Sequence, residues 1–206
     1  MTYLFAHPQR VALLALAHLG LVGAALVIAF ALAVPLGIFA YRNATLRPWL
    51  VGVLGAIYTI PSLALLALLV QVLGLGSLPI FIALVAYAQF MLVRNVIAGF
   101  AAVDPTLRDA ARGIGLSSLQ RITRIEFPLA LPVVIGGVRI ATIAMIAIAT
   151  LGAYVGGGGL GALIFDGLTL HNDAMIVAGS LAVTALAIVV DGTLRVAEHF
   201  ARQAVE

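Results

Sequence analysis

Long apolar runs alternate with short polar breaks along this chain, and only one break is long. Five runs reach the roughly 20 apolar residues that a helix needs to cross a bilayer: residues 19–40, 49–73, 78–97, 129–151 and 174–196. An earlier apolar piece, Tyr3–Ala17, is separated from the first run by His18 and interrupted by Arg10. It reads as an interfacial helix or as an extension of the first span. It is a poor match for a cleaved leader, whose apolar core is only about 7–15 residues. The pattern predicts an all-α integral membrane protein with about five transmembrane helices. One membrane domain, residues 1–206, accounts for the whole chain, with no internal repeat and no low-complexity tail.

Composition agrees and narrows the chemistry. The chain is 64% hydrophobic and 9% charged, against about 25% charged residues in soluble domains. Cysteine is absent, which removes disulfides, thiolate metal sites and cysteine nucleophiles together. His7, His18, His171 and His199 are scattered and read as interfacial or packing residues, so no metal centre is expected. No paired carboxylates and no Ser/His/Asp set points to an enzyme. Lysine is also absent. A phosphate-binding loop of the Walker A type needs one, so any ATP-driven work would fall to a partner chain, and no cofactor is expected in this one.

The net charge of +3 reflects topology better than nucleic-acid binding, because the arginines lie between or beside apolar runs. With the long polar loop, residues 98–128, on the cytoplasmic side, that side holds Arg42, Arg47, Arg94, Arg108, Arg112, Arg121, Arg124, Arg195 and Arg202. The opposite side holds only Arg10. The N-terminus is therefore expected outside and the C-terminus inside, with Tyr41 and Trp49 flanking the first cytoplasmic turn.

The loop has internal grammar. Asp104-Pro105 suits a helix start, since Asp caps free N–H groups and Pro fits the first helical position. Arg112 faces the carbonyl end of that helix, and Gly113 or Gly115 supplies a left-handed stop. Ser117 and Gln120 have the spacing of a capping box, and the second helix is expected to run to Pro128, where a new one starts. Ala110, Ala111, Gly113 and Gly115 leave room for another protein to approach the backbone, and Asp109 and Arg112 can pair with each other or with partner groups.

Asp109-Ala110-Ala111, Gly115, Ile125 and Phe127-Pro128, at their spacing, resemble the signature loop of binding-protein-dependent ABC transporter permeases. Asp stands here for the usual Glu, and Phe for the usual Leu. The resemblance extends over about Ile60 to Asp191. "TIPSLALLALL", "VRNVIAGF", "GGVRIA" and "GGGGLGALIFDGL" look like the osmoprotectant branch, permeases for glycine betaine, choline and related compounds. Methionine permeases share the loop and the glycine-rich segment and are the alternative. The resemblance implies a multi-pass subunit of a bacterial or archaeal cytoplasmic (inner) membrane. Its loop residues Asp109, Ala110, Ala111, Arg112, Gly113, Gly115, Ile125 and Pro128 would contact an ATPase subunit that carries ATP and Mg. A second permease copy or paralogue and an extracytoplasmic substrate-binding protein would complete the machine, within membrane lipid. An ion-coupled secondary carrier is a more distant alternative, with Asp191 its one plausible acidic coupling group. A membrane anchor explains the hydrophobicity but not the loop.

Inside the spans, Arg139 and Asp191 are charges at matching depth, which admits a bracing ion pair or a substrate or gating role. The fourth span is rich in small residues, Gly136, Gly137, Ala141, Ala144, Ala147 and Ala149, and is expected inside the bundle or at a dimer interface. Gly156, Gly157, Gly158 and Gly159 read either as a flexible outer linker or as an outer gate. A quaternary ammonium substrate favours aromatic faces. Tyr58, Tyr87, Phe90 and Tyr154, with Gln71 and Gln89 as polar lining, are therefore candidates for a translocation pathway, packing or lipid contact being the plainer role for each aromatic.

Overall fold

The computed structural model describes residues 2–204, and no strand occurs among them. The elements in order are α1 (Thr2–Ala6), α2 (Pro8–Arg42), α3 (Arg47–Thr59), α4 (Ser62–Leu73), α5 (Ser77–Ala102), α6 (Pro105–Gly113) and α7 (Ser118–Arg121). After a π-helical turn, Ile122–Glu126, come α8 (Phe127–Gly152), a 3-10 turn (Ala153–Val155), α9 (Gly161–Thr169) and α10 (Asp173–Gln203). The first span is longer than its sequence pattern suggests. Residues 8–42 form one 35-residue helix, so most of the early apolar piece extends the span. Its length, about 52 Å, exceeds the ~30 Å hydrocarbon core.

The second span is broken. α3 and α4 meet at an angle of 89°, and the cause is Pro61. Proline lacks an N–H and pushes the preceding residue out of the helical region, and Ile60 is extended at φ −62°, ψ 127°. The Tyr87 hydroxyl of α5 donates to the Ile60 carbonyl at 2.5 Å, replacing a helical partner where water is scarce. The bent pair still carries the chain across. Arg42, at the end of α2, reaches the Ser118 carbonyl in the polar loop, whereas Gly76, just before α5, donates to Val155 at the opposite end at 3.0 Å. Four continuous helices and this bent pair therefore make five crossings. α2, α5 and α10 meet the polar loop or the start of α8 at one end of the bundle.

The packing follows a size rule. The buried face of α2 repeats at helical spacing through Val22, Ala25, Ala29, Ala33, Gly37 and Ala40, a stripe of mostly small residues. α8 turns Ala130, Gly137, Ala141 and Ala149 inward. The central helix α5 carries the bulk, with Ile80, Leu84, Leu92, Val93, Val96 and Phe100 buried. Lipid tails are as apolar as these side chains, so association relies on close packing of large groups into small-residue faces. At Gly137 an added Cβ would stand 2.3 Å from the Asn95 Cβ, which shows how closely α5 and α8 approach. Leu13, Val27, Leu32 and Ile188 point outward, as a lipid-facing surface requires.

Two sequence expectations change. Pro128 does not start a separate helix, because the chain runs without a break from Ser118 into the fourth span. The π turn explains this: Phe127 N–H bonds back to the Ile122 carbonyl, five residues away, and this wider turn makes room ahead of the proline ring. The outer segment between the fourth and fifth spans is not simply a linker either. It contains α9, which lies against α10 and tethers α2 through an Arg10–Asp166 ion pair of 3.1 Å.

Replacing Tyr87 by Phe is expected to lower unfolding free energy in detergent by about 1–2 kcal/mol, the cost of an orphaned carbonyl. Gly137→Val should cost more, because it forces α5 and α8 apart. Denaturant titration in micelles measures both, and an unchanged midpoint for Tyr87→Phe would mean that another group serves Ile60.

Candidate functional site

The polar loop is built as the capping residues dictate. Asp104 Oδ1 accepts from the Thr106 N–H at 2.8 Å, and this hydrogen bond holds the Asp104 carboxyl below its ordinary range. α6 ends at Gly113, and Gly115 turns the chain at φ +83°, a value open to glycine at little cost. The capping box is reciprocal: Ser117 N–H donates to Gln120 Oε1 at 2.8 Å, and Gln120 N–H donates to Ser117 Oγ at 3.3 Å. Arg42 and Arg108 tie the loop to α2, and Arg121 braces the loop internally. Arg108 donates to the Tyr41 hydroxyl and to the Val103 carbonyl, the latter at 2.6 Å. Arg121 donates to Leu116 O and Ser118 Oγ, each at 3.1 Å.

That bracing leaves the outer face of α6 free. Asp109, Ala110, Arg112, Gly113 and Gly115 are exposed, with Arg112 Nη1 3.4 Å from Asp109 Oδ1. Ala111 is not on this face: it is 3% exposed and turned toward the bundle. Ile125 is half-buried and Pro128 exposed, both on the stretch leading into the fourth span. Sequence reasoning passed over Leu107 and Ile114, which are 46% and 77% exposed beside this face. An isoleucine held between two glycines in a polar loop was the available signal.

A second constellation lies between α8 and α10. Arg139 Nε is 3.5 Å from Asp191 Oδ1, and its Nη1 is 3.4 Å from Glu198 Oε2. Asp191 also pairs with Arg195 at 2.9 Å, and Glu198 with Arg202 at 2.6 Å. The sequence-based pair is thus part of a five-residue cluster with three cations and two anions. Glu198 was missed because it falls past the predicted end of the fifth span, and α10 runs about two turns further, to Gln203. The Arg139 contacts are longer than the ~2.7–2.9 Å of charge-assisted hydrogen bonds, so the centre of the cluster is loose and its rim tight. Gly136 lets the Glu198 carboxylate approach α8.

The candidate pathway residues do not form one surface. Tyr58, on α3, stacks on Phe90 of α5 at 5.1 Å and meets Tyr87 edge-on at 5.8 Å. Arg94 lies over the Phe90 ring at 5.2 Å, so the protein's own cation occupies that ring. Gln89 points elsewhere, buried and donating to the Ala29 carbonyl of α2 at 3.0 Å. Gln71 is exposed on α4. Tyr154 is exposed at the far end, 5.5 Å from Phe165. The glycine segment lies at that same end, with Gly156, Gly158 and Gly159 at φ +88°, +70° and +70°. His18 packs beneath Gly159, its Nε2 3.2 Å from the Ile146 carbonyl of α8. Among the described residues, no group of three or more His, Cys, Asp or Glu could hold a metal ion.

Comparison with known proteins places this architecture. The chain is 39% identical to the carnitine transport permease of Listeria monocytogenes, over 88% of this chain and 84% of the relative. It is 38% identical to the glycine betaine/carnitine/choline permease of Bacillus subtilis, over the same shares of each. In fold it matches a chain of the methionine ABC transporter MetNI, solved in inward-facing conformations, with a TM-score of 0.82, 98% of both chains covered and 20% identity. Residues 33–202 match the model for the binding-protein-dependent transport system inner membrane component, and the chain belongs to that family as the permease subunit of an ABC importer.

Proposed function

We propose that the chain forms the membrane path of an ATP-driven importer for quaternary-ammonium osmoprotectants such as glycine betaine, carnitine or choline. The observation that carries the coupling is the outer face of α6. Leu107 and Ile114 stand exposed beside it, at the polar end of the bundle where lipid cannot cover them. Such a patch suits a protein partner. The partner is a separate ATPase subunit that binds ATP and Mg and grips Asp109, Ala110, Arg112, Gly113 and Gly115. A second permease, the same chain or a paralogue, and an extracytoplasmic substrate-binding protein complete the machine in the cytoplasmic membrane. The substrate class rests on the relatives at 38–39% identity, whereas the methionine transporter shares the fold at 20% identity.

Mechanistically, ATP binding draws two α6 helices together, and the rigid join of α7, the π turn and α8 conveys that movement into the fourth span. Transport then follows from differential stabilisation of inward- and outward-open states. The Arg139–Asp191–Glu198 cluster braces α10 to α8 so that the two move together. The glycine segment at the opposite end serves as the outer gate beside the docking site of the binding protein.

Purified in mild detergent from its native membrane, the tagged chain should bring ATPase activity with it. Asp109→Arg, Ile114→Asp and Gly115→Asp should each reduce that activity about tenfold, roughly 1.4 kcal/mol of interface energy, while size-exclusion profiles stay unchanged. A well-folded wild type that carries no ATPase would sink the reading. For the cluster, Arg139→Leu should destabilise the fold by about 1–2 kcal/mol, because Asp191 and Glu198 each keep one arginine and lose the other. Adding Asp191→Leu and Glu198→Leu should restore most of the loss. Thermal unfolding measures both, and equal melting of single and triple variants would argue against a brace.

A further inference from the structure

Arg94, which the arginine pattern groups with the polar-loop side, stands level with Arg139 of α8 but in an opposite electrostatic situation. Asn95 packs against Gly137, which sets neighbouring Arg94 level with Arg139. Arg139 has two carboxylates. Arg94, exposed on α5, makes neither an ion pair nor a hydrogen bond among the described residues. Its one close partner is the neutral ring of Phe90. It lies short of the end of α5, which runs on to Ala102. Phe100, whose ring is 5.7 Å from Tyr41 at the end of α2, is six residues further along α5, about 9 Å of helix. A charge on a membrane helix that has no counter-charge within its own chain faces a water-filled route or an anion from outside that chain.

The surroundings fit such a route. A surface cavity of about 230 Å³ is lined by Phe90, Met91, Arg94, Asn95 and Ala98. From it the Phe90–Tyr58–Tyr87 stack leads along α5 to the broken backbone at Ile60–Pro61. Irregular backbone at membrane depth persists only where it is buried in protein or lines a cavity, and transporter sites are built beside such breaks. With Arg94 over Phe90, this wall repels a bare cation and attracts an anion.

We infer that Arg94 binds the carboxylate of a zwitterionic substrate during its passage, and so favours betaines and carnitine over choline, which has no carboxylate. This rests on the functional reading above and assigns the part of the substrate that the permease itself recognises. The guanidinium offers forked donors that match a carboxylate, and the surrounding apolar helices strengthen that contact relative to water.

The test uses the permease reconstituted with its ATPase and a saturating amount of its binding protein in vesicles free of anionic lipid. Uptake of glycine betaine and of choline is compared for wild type, Arg94→Gln and Arg94→Lys. Arg94→Gln should lower betaine uptake relative to choline uptake about tenfold, the scale of one lost charge-assisted hydrogen bond. Arg94→Lys should retain most of the preference, and basal ATPase activity should stay at the wild-type rate in both. Equal loss for the two substrates, with basal ATPase intact, would overturn the inference and assign Arg94 to gating. No loss for either would also overturn it. A betaine defect seen only when anionic lipid is added would identify a lipid phosphate as the ligand instead. A wild type that hydrolyses ATP but takes up neither compound would instead defeat the substrate reading on which the inference rests.

Discussion

Close approach of helix backbones inside lipid is the condition on which this structure depends. In water, burying a large apolar side chain stabilises a fold. In a bilayer the alternative environment is equally apolar, and the gain comes from contact density and satisfied polar groups. α5 supplies volume and α2 and α8 supply the hollows, so Ala29, Ala33, Gly37 and Gly137 matter through what they lack. The same closeness brings Gln89 to the Ala29 carbonyl and His18 to the Ile146 carbonyl. Polar side chains thereby become cross-links between spans.

The backbone breaks obey the same condition. Pro61 frees the Ile60 carbonyl, and the molecule answers with Tyr87. Pro128 is accommodated by a π turn instead of a break, which leaves α7 joined to the fourth span as one rod. The difference matters for coupling: a hinge at Pro128 would absorb a push on α6, whereas a continuous helix passes it on. The arginines that hold the loop, Arg42 and Arg108 between loop and α2 and Arg121 within the loop, act mainly on neutral carbonyls and hydroxyls. They hold position without consuming the exposed charges Asp109 and Arg112.

Charge inside the spans is divided between two tasks. The cluster around Arg139 pairs that charge within α8 and α10, through Asp191 and Glu198. Arg94 has no such arrangement, which makes it the residue of the bundle that most needs something from outside. The aromatic stack beside it therefore works as a wall whose exposed ring face is already covered by a cation, rather than as a cage for one.

Much of this was legible from residue order, because hydropathy, arginine placement and capping chemistry act locally. The five apolar runs, the polar loop with its Asp104 cap and Ser117–Gln120 box, and the loop's family resemblance all follow from neighbours in the chain. The bend at Pro61 has a local cause that the continuous apolar run concealed, the length of α2 decided between two readings of the early apolar piece, and helix α9 depends on α10 alongside it. Spacing suggested one face for Ala110 and Ala111, yet α6 turns Ala111 inward because the bundle sits behind it. Arg139 and Asp191 could be matched by depth, but Glu198 joined them only when α10 continued past its apolar run. The sequence by itself thus determined which segments are long and apolar enough to cross a membrane and where the polar loop falls between them, since those are one-dimensional sums of transfer free energy and charge. Which charges are neutralised and which are left open, as at Arg94, was decided by the tertiary structure alone, because pairing depends on distances between helices that no local pattern encodes.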